Sequence, residues 1–389
     1  MKRKLSDNIK DALRALIARE IRFEYEHIPI RIRKAPFRKA LNWVAVEASI
    51  AFKSEQPWGL PTYLQIEPTT ICNLGCKYCP VSERTDEPVG HQDPELARRL
   101  IDELHETALL VVLWGWGEPF LSPGIYDVIR HARDRGLVVI SSTNGHLFAK
   151  DKQARRVVES GIDKLLVSTS GMSPESYKGA RRGSFELPLK GVRNIVKWKR
   201  ELGLKKPFLS LTLIITQDNE HEIEEARAVA EGLGVDMLNF KRINPTTTSK
   251  GVPLPSDKSL RRFDYDGEGT PRVVKENRCK ALFHKTTLRW DGRVNSCTFD
   301  IHDDSNLGDF NSGSFRDIWR GSAYRRMRSK FRRNWRDIPI CTRCTYGFEG
   351  GYFTESVIES ISYEAGEAPE APGPGPDSTD QRPRQRPNS

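Results

Sequence analysis

A chain of 389 residues with 37% hydrophobic and 29% charged side chains is long enough for one large folded unit and a smaller second one. No apolar run reaches the roughly 20 residues that a membrane-spanning helix needs, and the N-terminus lacks the pattern of a secretory signal. The net charge is +10, and the seven cysteines favour metal ligation in a reducing compartment over a disulfide framework. We therefore expect a cytoplasmic protein with two structured units.

Residues 1–55 form a basic and amphipathic segment. Up to residue 53 the segment contains 13 Lys and Arg residues against 6 Asp and Glu residues. Its apolar side chains recur close to the 3.6-residue repeat of a helix, so we predict a helical N-terminal extension of one or two helices. Packing on the protein core is favoured, and peripheral contact with a membrane surface is the alternative. The apolar residues of this repeat are Leu5, Ile9, Leu13, Leu16 and Ile17.

Short apolar runs alternate with longer amphipathic stretches between residues 60 and 243. Six such alternations predict an α/β fold with a parallel sheet, arranged as a partial (β/α)6 TIM-like barrel over residues 56–245. Residues 246–278 are typical of a linker, residues 279–360 of a small second domain, and residues 361–389 of a disordered Pro-rich tail. The predicted strands are Tyr63–Glu67, Leu109–Trp114, Leu137–Ser142, Lys164–Thr169, Phe208–Ile215 and Met237–Lys241.

Three cysteines, Cys72, Cys76 and Cys79, lie within eight residues directly after the first predicted strand. A loop can wrap three thiolates around one face of an iron–sulfur cube and leave the fourth iron open to a chelating molecule. Half of a zinc site is the alternative, but such a site normally requires a fourth nearby Cys or His. The nearest histidine, His91, stands at no recurring ligand spacing. The pattern therefore favours an iron–sulfur cluster.

This C-x3-C-x2-C pattern, with Tyr78 just before its last cysteine, resembles the signature of the radical S-adenosylmethionine superfamily. The resemblance covers roughly residues 60–350. It implies that Cys72, Cys76 and Cys79 hold a [4Fe–4S] cluster whose open iron is chelated by S-adenosylmethionine. In that family, electron transfer from the cluster cleaves S-adenosylmethionine to a 5′-deoxyadenosyl radical.

Motifs after the following strands also resemble the family. The sequence Gly115-Trp116-Gly117-Glu118-Pro119 is similar to a Gly-Gly-Glu-Pro element, with Trp116 in place of the usual first Gly. The stretch Ser168–Gly171 lacks the Asp that relatives often have there, and Arg181 resembles an Arg that pairs with the cofactor carboxylate. The cofactor-binding residues that the resemblance implies are Tyr78, Gly117, Glu118, Pro119, Asn144, Ser168, Ser170 and Arg181.

The remaining cysteines, Cys279, Cys297, Cys341 and Cys344, resemble an auxiliary-cluster extension known as SPASM, in its shortened Twitch form. The resemblance implies one auxiliary [4Fe–4S] cluster with all four irons ligated by protein. A zinc knuckle is the alternative that the spacing also permits. Because four cysteines leave no open iron, we expect the auxiliary cluster to accept an electron from the substrate radical.

The order and spacing of the three and then four cysteines resemble those of Twitch dehydrogenases, which act on aminocyclitol or sugar alcohols. The favoured function is therefore a dehydrogenase-type radical oxidoreductase that acts on a small sugar or polyol. With seven thiols holding two clusters, none remains to donate a hydrogen atom, so oxidation is favoured over epimerisation. Modification of a precursor peptide is the alternative, although 55 residues look short for a domain that binds a leader peptide. A non-catalytic Fe–S or zinc scaffold that binds nucleic acid is a third hypothesis.

The expected partners follow from this function. A small-molecule substrate and an electron donor such as flavodoxin or ferredoxin are expected, and a precursor peptide is the alternative substrate. No nucleic acid is expected, because the sequence shows no platform of alternating aromatic and basic residues. The general base and the substrate itself have no signal in the sequence.

Overall fold

Two helices and a β-hairpin form the N-terminal part of the chain. Helix α1 (Leu5–Leu16) leads into the antiparallel strands β1 (Ile21–Tyr25) and β2 (Ile28–Ile32), and helix α2 (Phe37–Ala51) follows. The prediction of a wholly helical extension is therefore wrong for residues 21–25 and 28–32. The computed structural model describes residues 5–25, 28–52, 54–79, 81, 88–243, 253–265, 271–272, 279–300, 305–344 and 357–363.

The hairpin packs against the interior of the barrel. Ile28, Ile30 and Ile32 alternate along β2 and are buried against barrel-interior side chains such as Val112 and Leu166. This two-residue period is typical of a strand with one buried face, which explains why a helix does not form there. The N-terminal segment therefore packs on the core.

Six parallel strands alternate with helices through the centre of the fold, at the positions that the sequence predicts. Every residue of Leu110–Leu113, the second of the six parallel strands, is buried. This is expected for a parallel sheet that is covered on both faces. The strands are β3 (Tyr63–Ile66), β4 (Leu110–Leu113), β5 (Val138–Thr143), β6 (Lys164–Thr169), β7 (Phe208–Ile215) and β8 (Met237–Arg242). The helices are α3 (Pro94–Leu104), α4 (Ile125–Asp134), α5 (Asp151–Glu159), α6 (Pro174–Ala180), α7 (Glu186–Glu201) and α8 (Ile223–Leu233).

The C-terminal part adds short strands and helices. The strands β9 (Asp264–Tyr265) and β10 (Pro271–Arg272) form a separate two-stranded sheet in the predicted linker, most of which lies outside the described residues. The later elements are α9 (Ala281–His284), β11 (Lys285–Leu288), β12 (Arg293–Asn295), β13 (Asn306–Asp309), α10 (Phe315–Arg320), α11 (Ser322–Asn334), α12 (Pro339–Arg343) and β14 (Val357–Ser362).

The C-terminal elements extend the barrel sheet at both of its edges. Strand β11 pairs in parallel with β3, and β14 pairs antiparallel with β8, so that ten strands form one sheet in the order β13-β12-β11-β3-β4-β5-β6-β7-β8-β14. Strand β14 runs past the predicted domain end at residue 360. The other predicted domain limits stay predictions, and the tail from residue 364 lies outside the described residues.

A buried arginine stabilises the C-terminal unit. The guanidinium of Arg328 in α11 lies over the rings of Trp319 and Tyr324, 4.2 and 4.4 Å from their centroids. It donates hydrogen bonds to the carbonyls of Leu282 and Trp319.

Within the described residues, no helix combines the length and apolar character needed to cross a membrane.

Candidate active site

A cavity of about 420 Å³ opens at the carboxyl ends of the barrel strands. Such strand ends are where barrel folds assemble their sites. Tyr25 of the hairpin and Leu166 of β6 contribute to its wall, and the loop after β3 contributes Cys76 and Cys79. The lining also includes four residues predicted to bind cofactor, which are Tyr78, Ser168, Ser170 and Arg181.

The three cysteines of the first group lie within electrostatic reach of one another. Burial, together with the nearby Cys76 and Cys72, raises the pKa of Cys79 to about 11. Burial also raises the pKa of Cys72, whose Sγ lies 3.5 Å from the backbone N–H of Leu74. Burying several thiols side by side makes their negatively charged thiolate forms unfavourable. Ligation to iron compensates that charge, because the thiolate is the form that binds metal. The loop therefore fits the catalytic cluster.

Glu118 joins the loops that follow β4 and β5. Its buried carboxylate accepts hydrogen bonds from Thr143 Oγ1 at 2.9 Å and from the backbone N–H of Asn144 at 2.8 Å. Burial raises the pKa of Glu118 to about 7, against the lowering effect of these hydrogen bonds. Asn144 also donates to Asn73 Oδ1 of the cysteine loop at 2.8 Å. Glu118 therefore positions Asn144, and Asn144 in turn holds the cysteine loop through Asn73.

Gly117 lies where no side chain fits. A Cβ atom at this position would come within 2.4 Å of the carbonyl oxygen of Thr69. Pro119 then begins a short 3₁₀ turn. The close backbone approach explains the glycine of this motif, and direct contact of Gly117, Glu118, Pro119 and Asn144 with the cofactor stays a prediction.

Arg181 is oriented by Ser168. Its guanidinium donates to the carbonyl of Ser168 at 2.6 Å and to the Ser168 hydroxyl at 3.1 Å. Ser170 is buried close by, and its carbonyl accepts a hydrogen bond from Asn219 Nδ2. The arrangement holds the guanidinium at the cavity wall, and its contact with the cofactor carboxylate stays a prediction.

The four later cysteines also converge. Burial raises the pKa of Cys341, and Cys279, Cys297 and Cys344 raise it further because all three lie near it. Cys279 Sγ lies 3.4 Å from the backbone N–H of Ala281. Burial raises the pKa of Cys297 to about 11, while Lys285 lowers it.

The four later cysteines suit an auxiliary cluster by their number. A [4Fe–4S] cube whose four irons are all ligated by protein takes four thiolates, and Cys279, Cys297 and Cys344 lie near Cys341. Across the described ranges, no group of three or more Cys, His, Asp or Glu side chains is arranged to hold a single metal ion.

Two of the contacts between the barrel and the auxiliary unit involve side chains that follow β3 and β4. Trp116, which stands where the family usually has Gly, donates from Nε1 to the carbonyl of Thr298 at 3.1 Å, directly after Cys297. At the end of β3, Glu67 forms a buried ion pair with Arg289, with 3.1 Å between Oε2 and Nε. The sequence marked Trp116 only as a departure from the motif and gave no signal for the ion pair.

Three charged residues at the cavity were not predicted. Lys241 and Arg242 of β8 and Lys285 of β11 line it together with Arg181. Their strands lie far apart in sequence, and only their pairing in the sheet brings these side chains to one cavity. A signal was available in the alternation along β8, where Asn239 and Lys241 share the interior face.

Two family models match the chain. A model described as the Radical SAM superfamily matches residues 66–230, and one described as SPASM, an iron–sulfur cluster-binding domain, matches residues 279–345. Both cysteine groups lie within these matches.

Two curated relatives cover most of the chain. The tungsten-containing aldehyde ferredoxin oxidoreductase cofactor-modifying protein of Pyrococcus furiosus is 24% identical, over 73% of this chain and 87% of its own. The mycofactocin maturase MftC of Mycobacterium tuberculosis is also 24% identical, over 69% of this chain and 73% of its own.

A solved structure shares the fold. Streptococcus suis SuiB bound to S-adenosylmethionine has a TM-score of 0.58 at 16% identity, covering 79% of this chain and 77% of that chain. SuiB bound to its precursor peptide SuiA gives a TM-score of 0.56 at 15% identity, covering 75% and 71%. With both family models matched, this chain belongs to the radical S-adenosylmethionine superfamily and carries a C-terminal SPASM iron–sulfur domain.

Proposed function

We propose that this radical S-adenosylmethionine enzyme performs an oxidative modification of a peptide-type precursor. The observation that carries the proposal is the position of the cavity. At one side it is lined by Cys76 and Cys79, and at another by Thr298 and Phe299, which directly follow Cys297. A substrate in this cavity would lie beside both cluster sites.

The comparisons favour a peptide over the small sugar or polyol that the sequence suggested. The relatives include a maturase and a cofactor-modifying protein, and SuiB has been solved with a precursor peptide. A dehydrogenase acting on a polyol remains the second candidate. It is supported by the hydroxyl-rich wall of the cavity, to which Ser142, Ser168 and Thr212 contribute.

When bound, the first cluster and S-adenosylmethionine supply a 5′-deoxyadenosyl radical that removes one hydrogen atom from the substrate. The protein's part is positional: Arg181, held by Ser168, would orient the cofactor carboxylate, and Tyr78 would lie beside the adenine. For a net two-electron oxidation, the substrate then loses one proton and one further electron. Cys279, Cys297, Cys341 and Cys344 would hold the group that accepts that electron.

The first experiment tests the cofactors. Anaerobically reconstituted enzyme should bind about eight irons, four for each cube, and release 5′-deoxyadenosine when reduced with S-adenosylmethionine. The variant with Cys72, Cys76 and Cys79 all changed to Ala should lose about half of the iron and release none. Stoichiometric zinc with little iron would contradict the proposal.

The second experiment distinguishes the substrate classes. Short peptides encoded beside the gene, and separately a set of polyols, are incubated with the reduced enzyme and analysed by mass spectrometry. A modified peptide, formed in step with 5′-deoxyadenosine, supports the proposal. Turnover of a polyol while the peptides stay unchanged would contradict the proposal and support the second candidate, a polyol dehydrogenase.

A further inference from the structure

A groove of about 400 Å³ lies beside the first cysteine group. It is separate from the cavity at the strand ends, although Cys76, Ala180 and Arg181 border both. Its wall consists of two short segments, residues 75–77 of the cysteine loop and residues 178–182 at the end of α6 and directly after it. Because exposed cations line it, we call it the basic groove.

The two segments of the basic groove are in direct contact. The backbone N–H of Lys77 donates to the carbonyl of Ala180 at 3.0 Å. A Cβ atom on Gly75 would lie 3.2 Å from Cδ of Arg182, so the side chain of Arg182 packs on the backbone of the cysteine loop. The groove is therefore built onto the loop that carries Cys76.

Three exposed cations line the basic groove without an acidic partner. They are Lys77, Lys178 and Arg182. Across the described ranges, no Asp or Glu lines the groove, and none forms an ion pair with these three side chains. The ammonium of Lys77 lies 5.4 Å from the centroid of the Tyr78 ring, and Asp218 lies near the groove but outside its lining. The positive charge of the groove is therefore available to a partner from solution.

The reaction of this superfamily needs an electron from outside the enzyme. Each reductive cleavage of S-adenosylmethionine uses one electron at the first cluster, and Cys76, a predicted ligand of that cluster, borders the basic groove. Within the described part of the chain, no residue of the auxiliary unit lines the groove. This favours an electron carrier over a substrate, which has to lie beside both cluster sites. Interfaces between redox partners are small and transient, and complementary charge speeds their formation.

We propose that the basic groove docks the protein that reduces the first cluster, an acidic one-electron carrier, through Lys77, Lys178 and Arg182. The ammonium and guanidinium groups contact carboxylates of the carrier. In the step itself the reduced carrier loses one electron and the first cluster gains it, and no covalent bond forms. The proposal does not depend on whether the substrate is a peptide or a polyol.

The test measures carrier binding and cluster reduction separately on the anaerobic holoenzyme. The probes are a flavodoxin and a ferredoxin, both chosen for a net negative charge. Calorimetry gives the affinity of each carrier at low and at high ionic strength. Release of 5′-deoxyadenosine is then driven either by the reduced carrier or by dithionite, a small reductant that needs no docking surface for a protein.

Reversing two charges of the groove gives the decisive variant, Lys178→Glu combined with Arg182→Glu. It should bind at least one acidic carrier about tenfold more weakly at low ionic strength, and this loss should shrink at high ionic strength because exposed charges are screened. Carrier-driven release of 5′-deoxyadenosine should slow, whereas iron content and dithionite-driven release should stay unchanged. The matched control, Arg200→Glu combined with Lys205→Glu, makes the same change in net charge at exposed positions before β7 and should leave carrier binding unchanged.

Four outcomes overturn the proposal. They are no binding of either acidic carrier to the wild type, unchanged carrier affinity in the double variant, an equal loss in the matched control, and an equal slowing of the carrier-driven and dithionite-driven reactions. If the double variant loses iron, Lys178→Glu alone, which keeps the contact of Arg182 with the cysteine loop, is judged by the same measurements. A double variant that binds carriers normally but no longer binds an acidic peptide would assign the groove to a precursor instead.

Discussion

Replacing Lys164 by Met tests whether the barrel core contains a charge that the fold must bury at a cost. Lys164 begins β6 and is 1% exposed, and its Nζ donates to the carbonyl of Pro29 in the hairpin at 3.2 Å. The ammonium also lies 4.8 Å from the centroid of the Phe208 ring. Burial lowers the pKa of Lys164 from its usual 10.5 to about 7.

The magnitude follows from that pKa. At about 1.36 kcal/mol for each pKa unit, burying the charged form costs about 5 kcal/mol below pH 7. Met fills a similar volume but gives up the hydrogen bond and the ring contact, each of which contributes about 1 kcal/mol. The expected net gain in the free energy of unfolding is therefore about 3 kcal/mol at pH 6, an order-of-magnitude figure.

The dependence on pH has a definite sign. Between about pH 7 and pH 10.5 the unfolded chain binds the Lys164 proton more than the folded chain does, so the stability of the wild type rises with pH in that window. The variant lacks this rise. The difference in the free energy of unfolding between the variant and the wild type should therefore shrink by about 2–3 kcal/mol between pH 6 and pH 9.

Urea unfolding of the anaerobic holoenzyme at pH 6 and pH 9, followed by tryptophan fluorescence, measures both quantities. Lys190→Met, at an exposed position on α7, is the matched control and should show neither the gain nor the pH dependence. A Lys164→Met protein that is less stable than wild type at pH 6, or whose difference from wild type is the same at both pH values, would refute the reasoning.

Three further predictions concern the candidate site. Arg181→Lys should weaken S-adenosylmethionine binding about tenfold in equilibrium dialysis at unchanged iron content, because an ammonium cannot make the bidentate contact; equal affinity would exclude that role. Trp116→Phe loses the hydrogen bond to Thr298, worth about 1 kcal/mol, and should change the electron paramagnetic resonance spectrum of the auxiliary cluster alone. The double variant Cys341→Ala with Cys344→Ala should still cleave S-adenosylmethionine but form no oxidised product, provided that circular dichroism shows an intact fold. Normal product formation would make the auxiliary site structural.

The parallel barrel could be predicted because its signal is local. Each strand is a short apolar run buried on both faces, as Leu110–Leu113 illustrates, and each ends near a motif. The first cysteine group is equally local, since Cys72, Cys76 and Cys79 lie within one loop. Local pattern therefore sufficed for the parallel strands, while the cluster ligands stay predictions.

Contacts between distant segments had no such signal. The helical repeat of the flanking residues predicts a helix through the hairpin as well. Its strands are instead defined by burial against Val112 and Leu166, which lie 80 or more residues later. Lys241 and Lys285 meet at one cavity only after the sheet has formed. The role of Trp116 likewise depends on where Thr298 lies, which no residue near Trp116 reveals.

The pairing of β11 with β3 has a consequence for how the chain is made. The backbone N–H of Thr62 donates to the carbonyl of His284, 222 residues later in the chain. At about 5–20 residues per second, a ribosome needs about 11–44 s to reach that partner. During this time the emerging barrel presents an unpaired strand edge, a known template for aggregation. The β3 edge therefore has no β11 partner until Lys285–Leu288 have left the ribosome.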